Sequence, residues 1–424
     1  MAFLSEKAIV RPTKLGPKGD APYPSARGTI YIERAAPLDL VKIKAFKDPK
    51  GIQRAEIVKI IEPSPFRKTA SCPHYDQCGN CTLLHLKTEY YRKWKTEVVR
   101  EAFLKIGVSP EQWLKPIFSE GHNRRRATLT LLKKRGKTTM GYYKRRSQEL
   151  SEINSCEIAH PKILELKAFL KPYLHLLATE GEPLDCLIQV VGDRIDLVLK
   201  GPVGKLGKPD QAFKQLVRDI FEVSSVARVS WKDQSRIQPL FESIPMEISF
   251  GELKVKLPPG AFLQPTQEGE KTLVEAVLHS IPHSGRYADL FAGCGTFSGP
   301  LLKYGSVEAF ESDPLAVKSL AQASKNKKLG IYRRDLFKNP LLHRDISKFD
   351  AVVFDPPRAG CIEQSHEMAL SKCPTLIGVS CNPATFARDA KTIVKGGYRL
   401  KSLQVVDQFL GSHHVEVVGV FKKY

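Results

Sequence analysis

The sequence predicts an α/β protein: a doubly wound, mainly parallel domain preceded by a small OB-like β-barrel and a mixed α+β central domain. From residue 256 onward, apolar strand-like runs alternate with helical stretches, the pattern of strand–helix–strand units. Up to residue 66 the runs are short, β-type and separated by Pro and Gly turns, a spacing suited to a small barrel. At 424 residues the chain is also too long for one ordinary core.

Residues 1–66 hold the runs GTIYIE, LVKIKAF and RAEIVKII and end at EPSPFRK, a proline-marked boundary. Barrels of the OB type are frequent RNA-binding accessories. Residues 67–255 contain a cysteine cluster, a basic hairpin and the strands CLIQVV and RIDLVLK. Within them, 88–106 has helical periodicity, with Tyr91, Trp94, Val98 and Phe103 on one face. Residues 256–424 give the strands YADLFA, SVEAFES, FDAVVFDPP, TLIGVS and HHVEVVGVF, with a helix over 314–328. No repeat or low-complexity segment is present.

The net charge of +21 favours a polyanionic partner, with nucleic acid ahead of an anionic membrane surface. The charge is concentrated in RRRATLTLLKKRGKTTMGYYKRR, residues 124–146, with ten Lys or Arg and no acid. Its middle reads as a hairpin turning at Gly136, and basic strand ends with Tyr142 and Tyr143 among them suit phosphate contact plus base stacking. The bland alternative is a solvated basic face. No apolar stretch approaches the ~20 residues that span a bilayer, and MAFLSEKAIVRP lacks a signal core, so a cytoplasmic protein with no membrane partner is expected. Nothing in the chain demands an obligate protein partner.

Nine cysteines in such a chain favour metal binding or catalysis over disulfides. Cys72, Cys78 and Cys81 stand in CPHYDQCGNC, and Cys156 in NSCEIAH is the best fourth ligand. Three clustered thiolates plus a remote one fit a [4Fe–4S] cluster better than zinc, which usually takes two close pairs. His74 and His85 keep a zinc site open. The spacing differs from that of radical S-adenosylmethionine enzymes.

DLFAGCG, residues 289–295, joins a strand to a helix. Gly293 and Gly295 allow a ligand to approach the backbone. The order is neither G-x-G-x-x-G nor a phosphate-binding G-x-x-x-x-G-K-[ST]. A strand ending in Asp, then Gly-x-Gly, then an acid (Glu311) closing the next strand describes enzymes that use S-adenosyl-L-methionine. Glu311 is placed for the ribose hydroxyls and Asp335 for the adenine side. Asp289 either touches the ligand or caps the following helix. Asp355, in FDPPRAG, projects from another strand end, and Arg358 there replaces the aromatic of amino-group methylases. Cys381 follows the strand TLIGVS, which Asn382-Pro383 stops. A thiol there lies at the carboxyl edge of the sheet, where open α/β folds hold ligands. It is either a nucleophile or, like most cysteines, a small hydrophobe.

Together CPHYDQCGNC, RRRATLTL, MGYYKRR, SCEI, FLQP, DLFAGCGTF, FES, FDPPRAG, SCNPATFARD and HHVEVV resemble the RNA uridine-C5 methyltransferase family. The resemblance is to its iron–sulfur bacterial members, which act on 23S rRNA. It implies that Cys381 is the nucleophile and Glu416 the base. It also implies that Gln264, Phe291, Thr296, Glu311, Asp335 and Asp355 line the cofactor site, and that Cys72, Cys78, Cys81 and Cys156 hold [4Fe–4S]. The thiolate would add to uracil C6, C5 would take the sulfonium methyl, and Glu416 would remove the C5 proton. Such a target must flip out of its stack, with Phe262 either a stacking partner or simply a core residue. Pro265 and Thr266 stand where the family carries an aliphatic residue and Asn. The alternatives are tRNA uridine-54 as substrate, or an RNA-binding or ribosome-assembly factor that retains the fold.

Overall fold

The computed structural model describes residues 7–424 except 27, 205, 206, 223 and 235. The first six residues, part of the segment read above as lacking a signal core, lie outside that range. Among the described residues the strands form three larger sheets and one two-stranded ribbon, and no helix is long and apolar enough to cross a membrane.

The N-terminal sheet has five strands in the order Lys7–Val10, Leu40–Lys47, Gln53–Glu62, Gly28–Ile32, Ala21–Ser25. Alternation sets its faces: Val41 and Ile43 turn inward and Lys44 outward. A ladder joining its two outer strands is absent among the described residues. Pro22 and Pro24 lie in one of those strands and lack the N–H groups a second ladder would need. Arg34 ties this sheet to the cysteine loop, donating to the carbonyls of Asp76 (2.8 Å) and Cys78 (2.9 Å).

The central sheet has seven strands, with the expected hairpin at Arg126–Lys134 and Lys137–Tyr143. Arg135 and Gly136 both take positive φ (53° and 75°), the two-residue turn that matches strand twist. The run CLIQVV lies in Pro183–Val191 and RIDLVLK in Arg194–Lys200, paired antiparallel.

The helix Thr88–Leu104 buries Tyr91, Trp94, Lys95, Val99 and Phe103. Val99, rather than Val98, therefore takes the core position. Phe103 meets Phe386 at 5.9 Å between ring centres. Just beyond, Gln112–Trp113 and Ile117–Phe118 pair in parallel with Arg399–Asp407. This stretch of the central region thus completes the third sheet.

That sheet runs Leu329–Arg333, Gly305–Glu311, Gly285–Leu290, Ala351–Phe354, Thr375–Ser380, Glu416–Lys422, Arg399–Asp407, Gln112–Trp113. The first five are mutually parallel, and Glu416–Lys422 is antiparallel to both neighbours. The chain moves outward from Gly285–Leu290 and then returns to lay Ala351–Phe354 on its other side. This is the switch point beside which doubly wound folds form a ligand crevice. The helix expected over 314–328 spans Pro314–Ala323. It ends early where Asn326 adopts φ 63°.

Candidate active site

The loop after Gly285–Leu290 is shaped by three positive φ values, at Phe291 (64°), Gly293 (54°) and Gly295 (95°). A Cβ on Gly293 would meet nothing within 4 Å, whereas one on Gly295 would lie 2.7 Å from Leu320. Gly293 thus leaves an open face toward the crevice, and Gly295 allows tight packing behind it. Glu311 accepts hydrogen bonds from the backbone N–H groups of Gly293 (2.8 Å), Ser312 (2.7 Å) and Asp313 (2.8 Å). Its carboxylate is thereby fixed at the strand end. Asp335 accepts from Phe337 N–H at 3.1 Å. Asp289 is fully buried, accepts from the Ser298 hydroxyl at 2.6 Å, and is pushed up to about 7 by burial. Its bonded oxygen faces the start of the next helix, and it is not on the cavity wall.

Asp355 and Glu416 approach from the ends of the two strands that flank Thr375–Ser380. The ladder between Thr375–Ser380 and Glu416–Lys422 records Ser380 opposite Val417. Cys381 and Glu416 are the next residues at the same end. Burial pushes Glu416 up to about 8, Asp355 adding repulsion, while Gln408, Arg358 and Lys95 oppose the rise. Burial also pushes Asp355 up to about 7. The Cys381 thiol is pushed up to about 12 by burial first, then by Glu416 and Asp355, with Arg358 opposing. Asn382 caps the helix Pro383–Lys395 and donates to the Arg358 carbonyl at 2.9 Å. That bond fixes the cysteine loop to the Asp355–Arg358 loop.

One cavity of about 640 Å³ is lined by all eight residues named for catalysis or cofactor: Gln264, Phe291, Thr296, Glu311, Asp335, Asp355, Cys381 and Glu416. Phe262 also lines it and is 60% exposed, so it is no core residue. Sequence reasoning missed Phe337, Phe409 and His414, which also line it. Phe337 was within reach of the strand-end rule, standing two residues after Asp335. Phe409 and His414 sit in a loop between antiparallel strands and carry no such local signal.

Cys72, Cys78, Cys81 and Cys156 line a second cavity, of about 280 Å³, that shares Arg124, Phe409 and His414 with the first. All nine cysteines are free thiols. Among the described residues no group of three or more His, Cys, Asp or Glu is set to hold a metal ion. The four sulfurs border a void. His74 lines the same cavity, but its Nε2 accepts from Asn154 N–H at 3.1 Å, and His85 Nδ1 lies 2.6 Å from the Tyr75 hydroxyl. Burial raises the pKa of Cys72, Cys78 and Cys81, and neighbouring thiols in the set add to it.

The basic run divides by role. Arg124 and Arg126 line the large cavity, and Arg126 lies 5.4 Å over the Phe262 ring. Arg125 is buried, bonded to Glu270 (2.6 Å) and the Gln264 carbonyl (2.9 Å). Arg145 pairs with Asp20 (2.6 Å) and Glu33 (3.1 Å) of the N-terminal sheet. Arg146 pairs with the same two acids. Part of the apparent polyanion surface therefore joins two sheets of the protein.

Residues 315–424 match the family model described as tRNA (Uracil-5-)-methyltransferase. An uncharacterized RNA methyltransferase of Brucella suis biovar 1 (strain 1330) is 35% identical over 414 residues, 96% of each chain. The 23S rRNA (uracil(1939)-C(5))-methyltransferase of Acinetobacter baumannii (strain AB0057) is 29% identical over 93% of this chain and 89% of its own. In fold, the chain is similar to the crystal structure of Pyrococcus abyssi tRNA (uracil-54, C5)-methyltransferase in complex with S-adenosyl-L-homocysteine. The TM-score is 0.73 at 21% identity, covering 98% and 99% of the two chains.

Proposed function

Because the chain belongs to the S-adenosyl-L-methionine-dependent RNA (uracil-5-)-methyltransferase family, we propose that it methylates C5 of a uridine in 23S rRNA through a covalent bond from Cys381 to uracil C6. The observation that carries this reading is the ladder end that brings Cys381 beside Glu416, in one cavity with Asp355 and the glycine loop.

The cavity suits the cofactor. Gly293 leaves an open face, Glu311 is held for the ribose hydroxyls, and Phe291, Thr296, Gln264 and Asp335 surround the space. S-adenosyl-L-methionine, when bound, supplies an electrophilic sulfonium methyl. The Cys381 thiolate adds to C6, and the displaced electrons make C5 nucleophilic. Once C5 carries the methyl, Glu416 takes the C5 proton. The C5=C6 bond reforms as the C6–S electrons leave with the thiolate. Arg358 favours the thiolate against the burial that disfavours it. A flipped uracil can stack on the exposed Phe262, and Arg124 and Arg126 can meet phosphates.

Cys72, Cys78, Cys81 and Cys156 would hold a [4Fe–4S] cluster. Four cysteines around one cavity suit a bulky cluster better than a zinc ion, which usually takes two close pairs of ligands. The N-terminal sheet, residues up to 66, would serve as an RNA-binding accessory to a central region (67–255) and a methyltransferase domain (256–424).

Mapping 5-methyluridine in 23S rRNA and tRNA from a deletion strain tests the substrate. Loss of one 23S site, restored by the wild-type gene, is expected. Loss at tRNA position 54 alone would transfer the activity to tRNA, and no loss in either would leave a binding factor.

A further inference from the structure

Arg126, on the wall of the large cavity, begins a polar face of the central sheet that runs outward to solvent. Side chains alternate along a strand, and residues opposed in a ladder share a face. Arg126, Thr128 and Thr130 therefore point the same way. Thr130 stands opposite Asp185, Asp185 opposite Lys200, and Lys200 opposite Lys232 of the parallel strand Val226–Lys232. The other face is apolar, with Leu129, Leu131, Cys186, Leu199 and Trp231 buried in the core beneath it. Lys200 and Lys232 thus lie on the face that carries Arg126, four strand positions (about 13 Å) farther out. Between them the stretch before Phe262 packs down: a Cβ on Gly260 would lie 3.3 Å from Val198 and 3.6 Å from Leu187. Beyond that contact the face opens, and both lysines are exposed.

Like charges directly opposed across a ladder destabilise a sheet. Asp185, the acid set against Lys200, gives its Oδ1 to the Thr130 hydroxyl at 2.6 Å. Among the described residues neither lysine forms an ion pair. Desolvation lowers the Lys200 pKa, and Lys232 and then Arg126 lower it further, with Asp185 opposing. The two lysines line one groove of about 420 Å³ together with Lys208, Gly201 and Trp231. Trp231 Nε1 donates to the Gly201 carbonyl at 2.8 Å, which fixes that wall. Unrelieved cations around a groove are what an anion would offset. RNA whose target base enters the cavity beside Arg126 and Phe262 has its flanking backbone within reach of this face.

We propose that Lys200 and Lys232 form a phosphate subsite for the single-stranded RNA that flanks the target uridine. The inference rests on the reading above that the large cavity takes that uridine. Contacts of this kind read no base, so the pair contributes affinity and the direction of the strand rather than sequence choice.

The test compares the trinucleotide UpUpU, which fills the cavity alone, with a long oligouridylate that crosses the sheet. Binding is measured by calorimetry over a salt series for wild type, Lys200→Met and Lys232→Met. Each variant should bind the long oligomer about two- to fivefold more weakly, the scale of one exposed ion pair. Its salt slope should fall by about 0.7, the loss of one single-strand phosphate contact. Affinity for UpUpU should not change, and KM for rRNA from a deletion strain should rise by the same factor as the oligomer's dissociation constant. The melting temperature should hold or rise, because each substitution removes a like-charge repulsion, whereas loss of a structural lysine would lower it. Lys232→Met covers the case in which Lys200→Met does not fold. Unchanged affinity and slope on the long oligomer in either folded variant would overturn the subsite. An equal loss on UpUpU would also overturn it, since that marks a diffuse field. Wild type that binds the long oligomer with its full slope yet methylates no uridine would sink the reaction proposed above and leave the subsite standing.

Discussion

Lys95 and Asp407 meet at 2.9 Å with both side chains 1% exposed. Lys95 also donates to the His414 carbonyl, and Tyr91 donates to the other Asp407 oxygen. Helix Thr88–Leu104 therefore grips both ends of the loop that carries Gln408, Phe409 and His414 and leads into Glu416. Thr82 and Leu83 N–H groups donate to the Gly411 carbonyl (2.8 and 3.0 Å), so the cysteine loop supports it too.

Lys95→Met should leave Asp407 charged and unpaired in the core, at a cost of about 3–5 kcal/mol. Urea unfolding measures it. A loss below about 1 kcal/mol would show that the loop relaxes to hydrate Asp407.

Cys381→Ala should abolish methyl transfer and trapping of 5-fluorouridine RNA, yet retain S-adenosyl-L-homocysteine binding by calorimetry. Glu416→Gln should instead accumulate a denaturant-resistant protein–RNA adduct on natural RNA. Normal turnover by the cysteine variant would refute covalent catalysis.

Glu416 titrates near 8 in the fold against an ordinary 4.5, so the folded state holds the proton more tightly than the unfolded chain. Its contribution is therefore fully present below about 4.5 and lost as pH rises through about 8. Asp355, raised to about 7 from 3.8, acts in the same direction. Thermal stability of wild type should fall across that interval more steeply than that of Glu416→Gln. Release of methylated RNA from the adduct in a single turnover should rise across the same range, because the base must be ionised. Parallel melting curves for the two proteins would contradict the assignment.

Arg126→Ala should weaken RNA binding uniformly across sequences and lower the salt slope by about 1, the loss of one phosphate contact. Arg145→Ala should act mainly on stability, since its partners Asp20 and Glu33 are the protein's own. Filter binding over a salt series, alongside melting, separates the two.

Protein purified without oxygen should carry about four iron and four sulfide per chain. Cys81→Ser should lose both while leaving the methyltransferase sheet folded by circular dichroism. One zinc per chain and no sulfide would reverse the cluster assignment.

Much of the site was legible because strand ends and turns are local. DLFAGCG, Glu311, FDPP and the Cys381–Asn382–Pro383 stop each announce a strand giving way to a loop. The doubly wound order then gathers those loops on one edge without further instruction. Hairpin chemistry at Arg135–Gly136 was legible for the same reason.

Other features depend on partners far away in the chain. Glu416 reads as an ordinary edge acid until an antiparallel ladder sets it beside Cys381. Lys95 reads as a solvated helix residue until Asp407, 312 positions away, pairs with it in the core. Arg145 reads as a phosphate contact until Asp20 neutralises it. By itself, then, the sequence determined the order of strands, the loop chemistry and the residue types at each strand end, since these follow from neighbours within a few positions. The tertiary structure alone decided which charges are paired and which carboxyls are buried enough to hold a proton near neutrality. Burial and ion pairing belong to the packed neighbourhood, and no window of sequence contains it.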